Sequence, residues 1–248
     1  MTYATAILLL AGDGVPPGSP AGALPTDART ASEIALGHIA GAPAVVRILD
    51  HLATQGVEEV IVTVDAGDER VEQLLGHRHA GIDLRYSRDE RPLDSGGSLA
   101  HALQEHNSHE PLWVLEGRTY FACDLLALAL VHEANTADVT IALTERTDAT
   151  AMSAVRLARK STAGGALVDA FYPGSSAAAA LVNTGYYLFN PAAFQRFDLP
   201  TAFSLERGFL NAHLEDLRLI GAPTAGDYFD LRLPGEPERA EHYFRLRD

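Results

Sequence analysis

The sequence predicts a three-layer α/β fold of the Rossmann-like type, in which a mostly parallel mixed sheet carries helices on both faces. Strand and helix patterns alternate along residues 5–146. The strand patterns are continuous aliphatic runs, which are typical of strands covered on both faces. The chain has 248 residues, of which 47% are hydrophobic, enough for one large core. We therefore expect a single domain over residues 1–248, with any ligand at the carboxyl ends of the strands.

The first half of the chain supplies the regular alternation. Strands are expected in "AILLL", "VEEVIVTVDAG", "IDLRYSRD", "PLWVLEG" and "DVTIALTER". A helix is expected in "AGAPAVVRILDHLATQG", because Val45, Ile48, Leu49 and Leu52 follow the helical period. Further helices are expected in "DERVEQLLGH" and "CDLLALALVHEAN", and the Gly-rich "PLDSGGSLAHALQEH" is predicted to be a loop that runs into a helix.

The second half is less regular. Strands are expected in "GALVDAFYP" and "LVNTGYYLFN", and helices in "PAAFQRF" and "SLERGFLNAHLED". A short strand pair is expected within "RLIGAPTAGDYFDLRLP", followed by a terminal helix, "EPERAEHYFRL". The Ala-rich "GSSAAAALV" is predicted to be a loop, and nothing marks a domain boundary.

Charge and cysteine content exclude several classes of function. The net charge is −14 and Lys160 is the only lysine, which argues against nucleic acid or an anionic membrane as a partner, since both attract basic surfaces. The apolar run near the start is too short to span a membrane. Cys123 stands alone, which excludes an internal disulfide and a zinc site built from cysteines. We expect a cytoplasmic protein, and the excess of Arg over Lys indicates a GC-rich, bacterial genome.

Two Gly-containing segments are candidates for nucleotide binding. Ala11, Gly12, Asp13 and Gly14 follow the first strand, where small residues let a phosphate approach the backbone. By itself this pattern is better explained as an ordinary turn. Residues 96–97, Gly96 and Gly97 in "DSGGSL", lie after the third strand and leave room for a flat base or a sugar, although a Gly-containing helix start explains them equally well.

The order and spacing of the segments are more specific than any one of them. The series runs "AILLLAGDG", "IAGAPAVVRILDHLATQGVEEVIVTV", "LRYSRDERPLDSGGSLAHAL", "LWVLEGRTYFACDLLALALVH", "LVNTGYYLFNPAAF", "FSLERGFL" and "GDYFDLRLPGEPERA". Over nearly its full length the chain resembles the sugar-1-phosphate nucleotidyltransferases, especially the heptose- and mannose-1-phosphate guanylyltransferase branch. In that family the third segment corresponds to Glu-x-x-Pro-Leu-Gly-Thr-Gly-Gly, the fourth contains Asn-Gly-Asp, and the last resembles Phe-Ile-Asp-Ile-Gly-Thr-Pro-Glu-Asp.

The resemblance implies a defined reaction. A phosphate oxygen of a sugar 1-phosphate attacks the α-phosphorus of a nucleoside triphosphate and releases pyrophosphate. Catalysis then depends on neutralising charge. An Arg and a Lys offset the phosphates, two Asp residues hold Mg²⁺, and a Glu-Lys pair helps to hold the sugar phosphate. Mg²⁺ is therefore expected as a cofactor if the chain is active, and none is required if it is not.

Compared position by position, this chain departs from the family's charged residues. Pro16 stands where the nucleotide loop supplies Arg, and Ile34 where Pro-Lys-Pro supplies Lys. Asn-Gly-Asp has become Glu116-Gly117-Arg118, and an Arg repels a metal ion rather than binding it. The Glu-Lys-Pro loop corresponds to "AFYPGSS", which has neither Glu nor Lys. Of the metal residues, Asp230 remains.

Other positions of the pocket are kept. The resemblance assigns Asn183, Thr184 and Gly185 to the strand that contacts the sugar, although a core strand whose Asn is satisfied internally explains them equally well. For Arg118 there are two interpretations: it holds a phosphate in place of the metal, or it forms a salt bridge with Asp230 and closes the metal site. We favour the salt bridge.

The leading hypothesis is a nucleotidyltransferase-family protein that has lost most catalytic residues. It would bind a nucleotide or nucleotide sugar, or act as a regulatory or structural partner of an active paralogue, and homo-oligomerisation is a further expectation from the family. The alternative is an active transferase in which Asp13, Glu116 and Asp230 rebuild the metal site and Arg118 clamps the phosphate. A third hypothesis is other chemistry on a sugar phosphate or cyclitol.

Overall fold

The computed structural model describes residues 3–12, 29–149, 152–173 and 179–247, without the side chains of residues 160–162 and 173. The first half alternates as the sequence predicts. Its strands are β1 (Thr5–Leu9), β2 (His38–Ile39), β3 (Ala42–Pro43), β4 (Glu59–Asp65), β5 (Arg78–His79), β6 (Ile82–Asp89), β7 (Leu112–Glu116) and β8 (Thr119–Phe121). Its helices are α1 (Ala31–Leu36), α2 (Ala44–Thr54), α3 (Arg70–Leu75), α4 (Asp94–Glu105) and α5 (Leu125–Ala134).

The second half adds strands to the same sheet. These are β9 (Val139–Arg146), β10 (Ser153–Thr162), β11 (Gly165–Pro173), β12 (Ala180–Phe189), β13 (Leu219–Pro223) and the separate β14 (Tyr228–Asp230). A 3₁₀-helix covers Pro191–Arg196, a π-helix covers Leu205–Leu210, and α6 (Glu236–Arg245) follows β14. The main sheet has the order β10-β11-β13-β9-β12-β7-β1-β4-β6-β5.

The sheet is mixed, and its parallel part is central. Strands β6, β4, β1 and β7 are parallel neighbours, whereas β12 runs antiparallel between β7 and β9. Two apolar clusters, one on each face, cover the sheet. The expected layered α/β fold is thereby confirmed. Because β12 runs opposite to β7, Gly185 and Tyr186 in its middle lie beside the carboxyl end of β7, where the parallel strands also end.

One local expectation is wrong and two are refined. The segment "PLDSGGSLAHALQEH" becomes helical at Asp94, with Gly96 and Gly97 in the first turn of α4. The predicted helices at residues 191–197 and 204–216 are a 3₁₀-helix and a segment that opens as a π-helix. Strands β13 and β14 do not pair with each other: β13 joins β9 and β11, and β14 pairs with β8. Tertiary pairing overrides the local pattern in this last case.

Two further expectations concern single features. Cys123 is buried in the apolar core, as its surroundings in the sequence indicate. Among the described residues, no helix combines the length and the apolar character that crossing a membrane would require.

Candidate functional site

The end of β1 is held to β4 by side-chain hydrogen bonds. The amides of Leu10 and Ala11 both donate to Thr63 Oγ1 at 3.1 Å, and the amide of Gly12 donates to Asp65 Oδ1 at 3.2 Å. The expected nucleotide contacts Ala11 and Gly12 thus lie at the carboxyl edge of the sheet, with their N–H groups directed at β4. Asp13, Gly14 and Pro16 lie outside the described residues.

Gly96 and Gly97 form part of the first turn of α4 and are buried against residues 201–203. Both amides donate to the carbonyl oxygen of Phe203, at 2.8 and 3.1 Å. A Cβ on Gly96 would lie 2.4 Å from the ring of Phe203, and one on Gly97 would lie 2.4 Å from the carbonyl oxygen of Thr201. The structure therefore gives both glycines a packing role, and their expected contact with a base or sugar stays a prediction.

Asp94, two residues before Gly96, has a backbone conformation that agrees with the resemblance to the sugar-1-phosphate nucleotidyltransferases. It stands where the family motif Pro-Leu-Gly-Thr-Gly-Gly has its first Gly, and its φ is +58°. Only Gly, and less often Asn or Asp, enters this left-handed region readily. A glycine at the corresponding position of the family motif agrees with this backbone conformation.

Asn183 is held by a network of protein groups. Its Nδ2 donates to Tyr187 Oη at 2.8 Å and to Glu206 Oε2 at 2.6 Å, and its Oδ1 accepts from the amide of Gly185 at 3.0 Å. Glu206, on the π-helix, also accepts from Ser153 Oγ at 2.7 Å. Burial raises the pKa of Glu206, and the hydrogen bonds from Ser153 and Asn183 oppose that rise.

The other two residues assigned to sugar binding face different surroundings. Thr184 is fully buried, and its hydroxyl donates to the carbonyl oxygen of Ala142 at 2.8 Å. This hydrogen bond links β12 to β9 within the sheet. Gly185 has a φ of +79°, and a Cβ there would lie 2.9 Å from Cβ of Glu116. Gly185 therefore lets β12 pass directly beside the end of β7. The sugar contact of these residues stays a prediction.

Two acid–arginine pairs meet at the ends of β7 and β14. Asp230 is 1% exposed and accepts hydrogen bonds from Arg232 Nε at 2.8 Å and Arg232 Nη2 at 2.6 Å. Arg118 Nη2 lies 3.4 Å from Glu116 Oε2. The expected salt bridge between Arg118 and Asp230 stays a prediction. Each arginine pairs with the acid two residues before it, across the turn that follows the strand.

The pairing of β8 with β14 brings these two pairs together. Thr119 lies opposite Asp230, and the amide of Leu231 donates to the carbonyl oxygen of Arg118 at 3.0 Å. Burial opposes the charge on Arg232, but Asp230 and, more weakly, Glu116 raise its pKa above the usual value. The four charged side chains therefore form one cluster, which we call the Glu116–Arg232 cluster (Glu116, Arg118, Asp230 and Arg232).

The Glu116–Arg232 cluster does not fit a divalent cation. Mg²⁺ needs carboxylate oxygens that are open to it, whereas both oxygens of Asp230 are engaged by Arg232. The described residues contain no group of three or more acidic, His or Cys side chains that could hold a metal. The doubtful metal assignment of Asp230 is thus not supported by its surroundings.

Another position of the expected catalytic set has an apolar role. Ile34, which stands where the family has Lys, lies on α1 with 3% exposure and packs in the core. Pro173, in the segment that replaces Glu-Lys-Pro, has a described backbone only, and residues 174–176 lie outside the description.

Comparison with known proteins identifies the family. The sequence model of the nucleotidyl transferase family matches residues 36–204, more than half of the chain. The chain belongs to the nucleotidyl transferase family. It is 27% identical to the D-glycero-alpha-D-manno-heptose 1-phosphate guanylyltransferase of Aneurinibacillus thermoaerophilus, over 77% of this chain and 80% of that protein. It is 29% identical to the Campylobacter jejuni enzyme of the same name, over 79% and 82%.

A solved structure supports the same fold. HddC from Yersinia pseudotuberculosis, crystallised in complex with GMP-PN, superposes with a TM-score of 0.77 and covers 98% of this chain and 99% of that one, at 18% identity. The predicted family and fold class are therefore confirmed for this nucleotidyl transferase family member.

Arg232 and Glu206 are the site residues that the sequence reasoning missed. Arg232 stands where the family motif Phe-Ile-Asp-Ile-Gly-Thr-Pro has Gly, and its spacing from Asp230 repeats the spacing of Arg118 from Glu116. That repeated acid–x–Arg pattern was the available signal. Glu206 had no comparable signal, because its contact with Asn183 joins residues 23 positions apart in the chain.

Proposed function

We propose that this chain binds a nucleotide or nucleotide sugar at the carboxyl ends of β1 and β7 and does not carry out metal-dependent nucleotidyl transfer. The observation that carries the proposal is the pairing of both Asp230 oxygens with Arg232. Transfer to a sugar phosphate depends on cations that neutralise the reacting phosphates. A carboxylate already neutralised by an arginine offers little attraction to Mg²⁺.

The buried position of Ile34 supports the same proposal. The family's lysine would have to reach phosphate, whereas Ile34 points into the core. Lys160, the only lysine of the chain, lies on β10. The guanylyltransferase relatives favour a guanine nucleotide as the first ligand to test.

A binding protein of this family is suited to serve an active paralogue as a regulatory or structural subunit. We expect the gene of an intact nucleotidyltransferase in the neighbourhood of this one, and co-purification of the two chains when they are expressed together. Cytoplasmic location belongs to the same proposal.

The first test is an assay of transfer. The protein is incubated with each of the four nucleoside triphosphates, Mg²⁺ and a set of sugar 1-phosphates, and pyrophosphate release is followed. We expect no turnover above background. Binding of GDP, GDP-mannose and UDP-glucose is measured in parallel by calorimetry, and saturable binding of at least one of them is expected.

Asp230→Ala and Asp227→Ala form a matched pair of variants for this assay. Asp227 lies three residues earlier, and its side chain is 55% exposed. Turnover that Asp230→Ala abolishes and Asp227→Ala leaves intact would establish the alternative, an active transferase with a rearranged site. Asp13, Glu116 and Asp230 would then hold the metal, with Arg118 on the phosphate.

A further inference from the structure

Arg118 stands where the resemblance places the first metal aspartate, and Arg232 follows Asp230, which stands at the second. Arg118 is anchored by Glu116, and Arg232 by Asp230. The antiparallel contact of β8 with β14 keeps them adjacent, through the hydrogen bond from the Leu231 amide to the Arg118 carbonyl oxygen. Two fixed positive charges therefore accompany the two carboxylates.

The charge of this cluster differs from that of a metal site. Two carboxylates that hold Mg²⁺ give a neutral unit only when the metal is bound, whereas Glu116, Arg118, Asp230 and Arg232 are neutral by themselves. A guanidinium has a rigid fork of donors that matches a phosphate group. The positively charged groups of this cluster are therefore protein side chains, and their presence does not depend on a metal ion from solution.

Arg232 can keep its carboxylate and still face a ligand. Its bonds to Asp230 use Nε and Nη2, while a guanidinium carries five N–H donors. The side chain is 27% exposed, although the carboxylate behind it is 1% exposed. Asp230 thus orients the guanidinium through Nε and Nη2, and these bonds do not use the donors of Nη1.

We propose that Arg232, assisted by Arg118, takes the place of the divalent metal and donates hydrogen bonds to the diphosphate of a nucleotide sugar, so that binding is independent of metal. This inference rests on the proposed function, since it names how the same site recognises its ligand. Asp230 is then a positioning residue, which holds the Arg232 guanidinium in a fixed orientation.

The experiment uses GDP-mannose as the probe, with UDP-glucose as the second, and measures dissociation constants by calorimetry in excess EDTA and in excess Mg²⁺. For the wild-type protein we expect values that agree within about twofold in the two buffers. Arg232→Gln is expected to weaken binding at least about tenfold. Arg239→Gln removes the same charge from a side chain on α6 that is 54% exposed, and is expected to leave binding unchanged.

A double variant tests whether Arg232 binds the ligand or only neutralises Asp230. Arg232→Gln by itself leaves a buried carboxylate without its partner and risks loss of stability. Asp230→Asn combined with Arg232→Gln removes both charges and allows the two amides to hydrogen-bond. We expect this double variant to retain its thermal melting transition and to bind the probe at least about tenfold more weakly than wild type.

The outcomes separate the two proposals. Binding that requires Mg²⁺ overturns the metal-independent site but leaves the proposed function standing. Equal binding by wild type and the double variant overturns the role of Arg232 alone. Absence of binding for both probes in both buffers, by protein with an intact melting transition, overturns this inference and the nucleotide-sugar ligand together.

Discussion

At the scale of a single residue, His132 shows how burial fixes a protonation state. It lies on α5 with 4% exposure, and its Nδ1 is 2.9 Å from Thr140 Oγ1. Burial lowers its pKa from 6.5 to about 4, against the opposing effect of Glu133 and Asp138. The folded protein therefore holds this ring neutral at pH values where the unfolded chain protonates it.

This difference predicts a loss of stability in acid. Below pH 6.5 His132 is protonated in the unfolded state but stays neutral in the folded state. The free energy of unfolding therefore falls as the pH drops from about 6.5 to about 4. We expect His132→Gln to remove roughly 2–3 kcal/mol of the decrease between pH 7 and pH 4.5. Chemical denaturation at the two pH values measures it.

His109 supplies the control, because it is exposed on a loop and hydrogen-bonds only locally, to Asn107. His109→Gln is expected to follow the wild-type pH profile. If His132→Gln showed the same decrease as wild type, the acid sensitivity would have to come from the carboxylates instead.

At the scale of an element, the start of α4 packs closely against residues 201–203 because Gly96 and Gly97 have no side chains. The carbonyl oxygen of Phe203 accepts from Gly96 and Gly97, and Ser95 Oγ accepts from the Leu205 amide at 3.0 Å. The amides of Gly96 and Gly97, which an anion would otherwise approach, are thus occupied by the carbonyl oxygen of Phe203. Residues 203–205 lead into the π-helix and to Glu206, so α4 and the network around Asn183 are mechanically joined.

Single alanines at the two glycines test this packing. The added Cβ would lie 2.4 Å from the Phe203 ring at position 96 and 2.4 Å from the Thr201 carbonyl oxygen at position 97. Overpacking of this kind costs about 1–3 kcal/mol. We therefore expect both Gly96→Ala and Gly97→Ala to lower the free energy of unfolding by about 2 kcal/mol.

A Phe203→Ala background distinguishes the two positions. Removal of the ring should relieve most of the added cost of Gly96→Ala, whereas Gly97→Ala meets backbone and should stay as costly as in wild type. Double-mutant cycles from denaturant unfolding measure the difference. Equal coupling at both positions would show that the clash with the ring is not the cause.

At the scale of the whole molecule, Arg146 ties the carboxyl end of β9 to the C-terminal helix. Its guanidinium donates to Asp148 at 2.7 Å, to Glu236 at 3.0 Å and to the carbonyl oxygen of Tyr228 at 3.3 Å. Arg146 and Glu236 are both buried. This contact fixes α6 and the start of β14, and hence the position of Asp230 two residues further along.

We expect Arg146→Met to lower the free energy of unfolding by about 3 kcal/mol, because it leaves the buried Glu236 without this partner. Amide hydrogen exchange should increase first in β14 and α6. Arg156→Met is the matched control, since Arg156 pairs with Asp169 where the side chains are 55% and 48% exposed. Such an exposed pair contributes about 1 kcal/mol or less. A similar loss in both variants would contradict the role of Arg146.

The order of segments along the sequence by itself determined the layered fold, the family and the list of altered charged positions. Aliphatic strand patterns and helical periods are local properties of the sequence, and they can be recognised without knowing the tertiary contacts. The grouping of the charged side chains into one cluster was decided only by the tertiary structure. Each arginine lies beside the acid two residues before it, and the pairing of β8 with β14 brings the two pairs together. Such choices depend on distances of a few ångströms between segments that are remote in sequence, and the spacing of residues does not encode them.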